Sequence, residues 1–213
     1  MKIKYLAHSA FLITSGSGIK IITDPYTPAG GLKYQPIKET ADVVTVSHEH
    51  GDHNYTKAVS GNPVILRDSG EVKGIKFKAV PAAHDEQGGS QRGKNMLFCF
   101  PVDGINVCHC GDLGHILTPE QVKALGKVDV LMIPVGGFFT VDAKTAAKIC
   151  DQLKPPVTIP MHYKTEKADF PIGSVEDFTK GKMNVSFINS SEIELMAGKL
   201  PQAPQIVVLK PAL

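Results

Sequence analysis

The sequence lacks tryptophan, contains little arginine and carries almost no net charge. Arginine occurs only at Arg67 and Arg92, and the formal net charge is +2. A surface that follows a nucleic-acid backbone usually carries clustered positive charge and arginine side chains, which bind phosphates with two parallel hydrogen bonds. The composition therefore gives no reason to expect nucleic acid as a partner.

No hydrophobic run is long enough for a membrane helix or a secretory signal. The apolar stretch around Leu12 is interrupted by His8 and Ser9, whereas a spanning helix needs about 20 apolar residues and a signal core about 7–15. The cysteine count of 4 is even and compatible with disulfides, but a chain without an export signal more often keeps its thiols reduced. We therefore expect a cytoplasmic protein without a membrane segment.

The chain shows no linker, charge block or internal repeat, and 213 residues suffice for one well-buried core. Its first part alternates apolar and polar residues, which is typical of a half-buried antiparallel sheet. Later strand-like runs alternate with helical patterns. We therefore expect a single domain over residues 1–213, of the layered α/β class with a mixed sheet.

Several local signals predict individual elements. The run 41–47 is apolar on both faces and predicts a central strand, and Asp103-Gly104 predicts a hairpin turn between two strands. Thr118-Pro119-Glu120-Gln121 combines a capping box with a proline at the first helical position. Asp142 and Ser174 predict the starts of two further helices.

The run His48-Glu49-His50-Gly51-Asp52-His53 is the strongest functional signal. A lone histidine is usually a surface or hydrogen-bonded core residue, but a solvated loop explains this cluster poorly. In extended backbone His48 and His50 point the same way, so both imidazoles are able to reach one metal. Gly51 permits a turn that directs Asp52 and His53 toward a second one. Imidazole and carboxylate ligands suit a divalent metal, with zinc as the default.

Further ligands are expected from distant segments of the same kind. His84, Asp112 and His162 each follow a short apolar strand, as the histidine cluster does. In open α/β sheets, ligands gather at the edge where such strands end. By its position His84 is able to complete the first centre, His162 the second, and the two oxygens of Asp112 are able to bridge both; spacing alone equally allows an ordinary structural role for each.

These motifs resemble those of the metallo-β-lactamase superfamily over essentially the whole chain. His48, His50, Asp52 and His53 match its H-x-H-x-D-H signature. Its other motifs correspond to Thr23-Asp24-Pro25, His84, Gly111-Asp112 and His162. The resemblance implies a four-layer αββα sandwich, with two mixed sheets flanked by helices. It also implies one metal held by His48, His50 and His84, a second held by Asp52, His53 and His162, and Asp112 as the bridge.

Within the superfamily the chain looks most like the compact branch of ascorbate-6-phosphate lactonase-like hydrolases and N-acylphosphatidylethanolamine-hydrolysing phospholipases. The segments that carry this likeness are 6–9, 81–84, 133–138 and 160–163. The chain lacks room for the inserted domain of the nucleases and lacks the membrane-facing segment of the phospholipase. Histidine rather than glutamate at position 50 argues against the oxygen-reducing diiron relatives.

Other residues are weaker candidates for the site, and each has a plain structural alternative. His8 is expected either to line the site or to have a structural role. Asp24 is expected to support the ligand loop through hydrogen bonds rather than to take part in catalysis. Arg92 and Lys164 meet an anionic substrate or are simply solvated. The stretch Asp85–Lys94 is a mobile lid or an ordinary loop. Cys108 and Cys110 fit strand packing better than metal binding.

The leading hypothesis is a metal-dependent hydrolase. A hydroxide bound by two divalent ions, zinc or alternatively manganese or iron, attacks an ester, lactone or phosphoester bond of a small molecule. Asp52 is the expected catalytic residue, because it orients the nucleophile and accepts its proton. The alternatives are a non-catalytic metal sensor on the same fold and a nuclease; balanced charge and the missing extra domain disfavour the nuclease.

Overall fold

The computed structural model describes residues 1–213 and contains two mixed β-sheets that enclose a common core. The first sheet has the strands β1 (Lys2–Ala7), β2 (Ala10–Thr14), β3 (Lys20–Thr23), β4 (Val43–Thr45), β5 (Val64–Leu66) and β13 (Glu192–Glu194). Its spatial order is β13-β1-β2-β3-β4-β5. The pairs that involve β1 and the pair β2–β3 are antiparallel, and β3, β4 and β5 are parallel.

The second sheet is larger and also mixed. Its strands are β6 (Gly70–Val72), β7 (Ile75–Ala83), β8 (Lys94–Val102), β9 (Ile105–His109), β10 (Val130–Pro134), β11 (Val157–Met161), β12 (Val185–Phe187) and β14 (Gln205–Val208). The spatial order is β12-β14-β11-β10-β9-β8-β7-β6. Strands β6 to β9 form antiparallel pairs, whereas β9, β10, β11, β14 and β12 run parallel.

Alternating side chains of the first sheet enter two separate hydrophobic clusters. Ile21 and Val43 belong to a cluster of 39 buried residues that both sheets share, whereas Ile22 and Val44 belong to a cluster of 14 on the other face. Successive strand residues point to opposite faces, so a strand that is apolar throughout must be covered on both sides. The loop that contributes Tyr26 to the smaller cluster provides part of that outer cover.

Three helices complete the fold, namely α1 (Pro119–Leu125), α2 (Ala143–Leu153) and α3 (Val175–Thr179). Helix α1 has the predicted capping box at Thr118, and Asp142 caps α2 by accepting a hydrogen bond from the Thr145 amide at 2.7 Å. Helices α1 and α2 pack on β7 and β10, and α3 packs on α2. The layered α/β class with two mixed sheets, predicted from the motifs, is confirmed.

The local predictions are confirmed in most places. The hairpin at Asp103-Gly104 joins β8 to β9, and a third helix follows Ser174. The predicted strand over 41–47 is shorter, since β4 covers only Val43–Thr45. All four cysteines are free thiols, and Cys108 and Cys110 lie in the larger cluster, as strand packing requires. No helix combines the length and apolar character needed to cross a membrane.

Candidate metal centre

The candidate ligands lie where four strands end, and these strands come from both sheets. His48 follows β4 of the first sheet after a short turn, whereas His84, Asp112 and His162 follow β7, β9 and β11 of the second. The loops after these strands meet above the shared core. Residues far apart in the sequence are thereby brought to one edge of the sandwich.

One group of possible ligand atoms comprises His48, His50 and His84. Their ligand atoms all lie within 4.8 Å of one another. The ring centroids of His48 and His50 are 4.7 Å apart, and those of His50 and His84 are 5.1 Å apart. His48 and His84 are buried, but His50 is exposed toward solvent. This group has the three imidazoles that a divalent ion accepts, with one side open.

A second group comprises Asp52, His53 and His162, together with His8. Their ligand atoms also lie within 4.8 Å of one another. His8 Nε2 is 3.2 Å from Asp52 Oδ2, and the ring centroids of His8 and His162 are 4.2 Å apart. Of these side chains only Asp52 is partly exposed. The structure therefore brings His8 to the site, where it contacts Asp52.

The Asp112 carboxylate lies between the two groups. Its Oδ2 atom is 3.1 Å from His84 Nε2 and 3.9 Å from His48 Nε2 on one side. The same oxygen is 3.4 Å from His162 Nε2, and Oδ1 is 3.2 Å from His53 Nε2. A single buried carboxylate thus faces imidazoles of both groups.

Asp24 holds the ligand loop through hydrogen bonds to Ser47 and His53. Its buried carboxylate accepts hydrogen bonds from the Ser47 amide at 2.8 Å and from the Ser47 hydroxyl at 2.5 Å. His53 Nδ1 lies 2.9 Å from Asp24 Oδ2, and His48 Nδ1 lies 2.9 Å from Ser47 Oγ. The carboxylate only accepts, so His53 Nδ1 donates to it. The single hydroxyl proton of Ser47 is donated to Asp24, so Ser47 Oγ accepts from His48 Nδ1. The Nε2 atoms of His48 and His53 are then the ring nitrogens left for a metal.

Asn95 is a supporting residue that sequence reasoning missed. Its side chain accepts a hydrogen bond from the Asp112 amide at 3.0 Å and donates one to the Cys110 carbonyl at 2.9 Å. Gly111 makes this close packing possible, because a Cβ atom there would lie 2.3 Å from Asn95 Oδ1. A buried asparagine at the start of an otherwise apolar strand was the signal that could have revealed it.

The electrostatics of the site favour binding of cations. Burial alone would raise the pKa of Asp112, but the imidazoles of His162 and His53 hold that pKa well below its usual range. Burial lowers the pKa of His48 and of His162 to about 3, so both imidazoles are neutral near pH 7. For His53 burial acts in the same direction, yet Asp112 and Asp24 raise its pKa well above the ordinary value. A metal ion would therefore compete with the His53 proton.

Buried polar atoms without a hydrogen-bond partner are concentrated among the predicted ligands. Eight buried side-chain nitrogen or oxygen atoms have no hydrogen-bond partner, and five of them belong to the predicted ligands. These five atoms are His48 Nε2, His53 Nε2, His84 Nδ1, Asp112 Oδ1 and His162 Nδ1. Buried polar groups are rarely left unpaired because desolvation is costly. An imidazole and carboxylate donor set of this kind suits a divalent cation.

Backbone strain is also concentrated at the site. His8, Asp24 and His162 have positive φ angles of 57°, 38° and 51°. For residues with a Cβ atom this left-handed conformation costs about 1–2 kcal/mol each. The surrounding structure holds all three residues in it, as is common where side chains must be aimed at a functional centre.

A cavity of about 590 Å³ opens above the ligands. It is lined by four of the predicted ligands, His50, Asp52, His84 and Asp112, and by further residues that include Arg92, Phe139 and Phe170. The structure therefore places Arg92 at the cavity. Lys164 does not line it; its ammonium group donates to the Phe170 carbonyl at 2.9 Å.

An α/β sandwich with a cavity above clustered histidines and aspartates is the arrangement expected of a metal-dependent enzyme. The family model described as the β-lactamase superfamily domain matches the sequence over residues 2–162. The chain therefore belongs to the β-lactamase superfamily.

Similar proteins are named metal-dependent hydrolases. The chain is 34% identical over 194 residues to a UPF0173 metal-dependent hydrolase of Carboxydothermus hydrogenoformans, covering 78% of this chain and 85% of the relative. Another UPF0173 metal-dependent hydrolase, from Thermococcus onnurineus, is 31% identical over 197 residues, covering 78% of this chain and 85% of that relative.

A solved structure supports the same assignment. A Thermotoga maritima protein, described as a Zn-dependent hydrolase of the metallo-β-lactamase superfamily, is 38% identical and superposes with a TM-score of 0.80. That match covers 98% of this chain and 97% of the other. The chain is therefore a metal-dependent hydrolase of this superfamily.

Proposed function

We propose that the chain binds two divalent metal ions and hydrolyses an ester, lactone or phosphoester bond of a small molecule. His48, His50 and His84 would hold one ion, and Asp52, His53 and His162 the other. Asp112 would bridge them. The supporting observation is the position of the Asp112 carboxylate, which lies within 4.0 Å of imidazoles from both groups.

We propose zinc as the metal. Imidazole nitrogen and carboxylate oxygen suit zinc, and they also accept manganese or iron. The Thermotoga maritima protein, at 38% identity, is described as Zn-dependent. The ordered Nδ1 contacts of His48 and His53 support a preformed site for such an ion.

Asp52 is the proposed catalytic residue. Paired divalent ions lower the pKa of water to about 7 and stabilise negative charge that develops on the substrate. The Asp52 side chain is 30% exposed, lines the cavity and receives a contact from His8 Nε2 at 3.2 Å. That contact leaves Asp52 oriented toward the cavity, where it would align the attacking water and accept its proton.

The whole chain is proposed to act as a single domain over residues 1–213. The first sheet supplies the loop with His48 to His53, and the second sheet supplies the loops with His84, Asp112 and His162. Neither sheet alone carries the complete ligand set. The cluster of 39 buried residues, to which both sheets contribute, supports this proposal.

Metal analysis of designed variants tests the ligand assignment. Wild-type protein purified without added metal should contain about two ions per chain, whereas Asp112→Asn should lose metal and turnover together. Glu49→Gln is a matched control, because Glu49 lies inside the motif but binds Arg67 at 2.6 Å and is 61% exposed. Retention of both ions by Asp112→Asn, as by Glu49→Gln, would contradict the assignment.

A panel of substrates tests the reaction. Metal-loaded protein is assayed with a carboxylic ester, a lactone, a phosphorylated lactone and a phosphodiester. The likeness to the lactonase branch stays a prediction, and the phosphorylated lactone tests it. Turnover of none of the four, at full metal content, would refute the proposed substrate class.

A further inference from the structure

We propose that Arg92 forms an anion-binding subsite in the cavity, so that the substrate carries a carboxylate or phosphate group besides the bond that is hydrolysed. This inference rests on the proposed function, because it names the substrate class of the same cavity. It concerns the side chain of one residue and is independent of which bond is cleaved.

The guanidinium group of Arg92 has no acidic partner within the protein. The other arginine, Arg67, is engaged, since its Nε lies 2.6 Å from Glu49 Oε1. Arg92 makes a hydrogen bond only through its main-chain amide, which donates to Asp85 Oδ2 at 2.8 Å. A guanidinium offers five N–H donors in a planar fork that matches an oxyanion. Arg92 is thus the arginine whose donors are free for a ligand.

The guanidinium group shares a cavity with the proposed metal ligands. Arg92 lines the same cavity as His50, Asp52, His84 and Asp112. No lysine lines this cavity, and its two carboxylates are proposed metal ligands. Arg92 is therefore the one lysine or arginine side chain in the cavity that also holds the proposed metal ligands.

Aromatic packing orients the guanidinium. Its central carbon lies 5.8 Å from the centre of the Phe139 ring, and the Phe139 and Phe170 ring centroids are 5.8 Å apart. A guanidinium stacked on an aromatic face keeps its edge available for hydrogen bonds. The two phenylalanines also provide an apolar wall for the carbon skeleton of the substrate.

The loop that carries Arg92 is held in place by Asp85. The Asp85 carboxylate accepts four hydrogen bonds from main-chain amides, those of Gln87, Gly89, Gln91 and Arg92, at 2.8 to 3.0 Å. The His84 amide donates to the Gly93 carbonyl at 3.0 Å, which closes the loop next to a ligand. Arg92 is therefore preorganised relative to His84, and a preorganised group binds its partner at lower entropic cost.

Calorimetric titration with simple anions tests the subsite. Metal-loaded protein of verified metal content is titrated with the dicarboxylates succinate, glutarate, adipate and pimelate, and with monocarboxylates of equal chain length. One carboxylate of each probe reaches the metal centre, and the second is available for Arg92. The measured quantity is the ratio of dicarboxylate to monocarboxylate affinity at each length.

For wild-type protein at least one length should show a preference for the dicarboxylate of about tenfold to a hundredfold, the range for a charge-assisted hydrogen bond. Arg92→Gln should reduce this ratio to about one. Arg92→Lys, which keeps the charge but loses the fork, should give an intermediate ratio. Arg67→Gln serves as the matched control and should keep the wild-type ratio.

The outcomes separate this inference from the proposed function. An equal ratio in wild type and Arg92→Gln, or no dicarboxylate preference at any length, overturns the subsite even if the protein hydrolyses esters. An Arg92-dependent ratio in a protein that hydrolyses none of the panel supports the subsite and refutes the proposed function alone. If Arg92→Gln does not fold, the comparison of Arg92→Lys with wild type decides.

Discussion

Single buried polar residues determine how the candidate ligands are oriented. Asp24, with no exposed surface, contacts Ser47 and His53 and through Ser47 also orients His48. One residue outside the predicted ligand set thus sets the tautomers of two residues inside it. Such supporting contacts commonly change metal affinity by a factor of about 10–100 when they are removed.

Asp24→Asn should therefore weaken metal binding by about 10–100-fold. The amide keeps the volume but brings N–H donors toward Ser47 Oγ and His53 Nδ1, which already donate to this position. Competition with a fluorescent chelator measures the affinity. Asp169→Asn is the control, since Asp169 is 65% exposed and pairs with Lys33 at the surface. Equal affinities in the two variants would show that Asp24 does not act on the ligands.

The predicted ligands and the supporting residue Asp24 were accessible from the sequence, whereas the supporting residues Ser47 and Asn95 were not. Histidines and an aspartate at close spacing are unusual enough to indicate a metal, and their motif resembles a known family. Ser47 and Asn95 are common residue types at unremarkable positions. Only their contacts with Asp24 and Asp112 show what they do.

At the scale of elements, the loops after the strands must pack very closely to bring the ligands together. Gly114 shows how closely, because a Cβ atom there would lie 2.2 Å from the Asp85 amide nitrogen and 2.3 Å from the His84 carbonyl carbon. The loop after β9 thus presses against the loop after β7. The two loops carry Asp112 and His84, so their contact fixes the distance between these side chains.

Gly114→Ala should destabilise the protein by about 1–3 kcal/mol, the cost of forcing extra volume into a packed region. It should also lower metal affinity, because the His84 loop has to move. Urea unfolding measures the first effect and chelator competition the second. Gly198→Ala is the control, since nothing lies within 4 Å of its added Cβ. A Gly114→Ala protein as stable as Gly198→Ala would show that the loops yield freely.

Secondary-structure elements with a strong local sequence signal were predictable, whereas short strands without such a signal were not. The capping box at Thr118 and the turn at Asp103-Gly104 act through adjacent residues, so the sequence displays them directly. Strands β5 and β6 have three residues each and were not predicted. They exist because β4 and β7 offer free edges for pairing, which is a property of the sheets rather than of the short segments.

At the scale of the whole molecule, the metal-free folded protein contains buried histidines whose pKa values are lower than in the unfolded chain. Burial lowers the pKa of His48 and His162 to about 3 and also lowers the pKa of His50 and His109. Below pH 6.5 the unfolded chain binds protons at these positions that the folded chain excludes. Protonation of these histidines therefore favours the unfolded chain, and the stability of the folded chain decreases as the pH falls below about 6.5. His53 acts in the opposite sense, since its pKa is raised.

The metal-free protein should consequently be less stable at pH 5 than at pH 7. Each net proton taken up on unfolding changes the free energy of unfolding by about 1.4 kcal/mol per pH unit. Urea unfolding of chelator-treated protein measures the slope. His48→Gln removes one of the groups and should flatten the slope, whereas Lys33→Gln, at an exposed surface pair, should not. Stability that rises as the pH falls from 7 to 5 would contradict this prediction.

The sequence by itself determined the residue types of the candidate site, the helix caps and the layered α/β class, because these depend on short spacings and on periodic burial. The tertiary structure alone decided which side chains meet. His48 to His53 come from one sheet and the distant ligands from the other, so their approach depends on how the sheets pack around the shared core. The free guanidinium of Arg92 was likewise decided there, because pairing with Glu49 engages only Arg67. Contacts between residues far apart in the chain have no signature in local sequence, since long-range packing creates them.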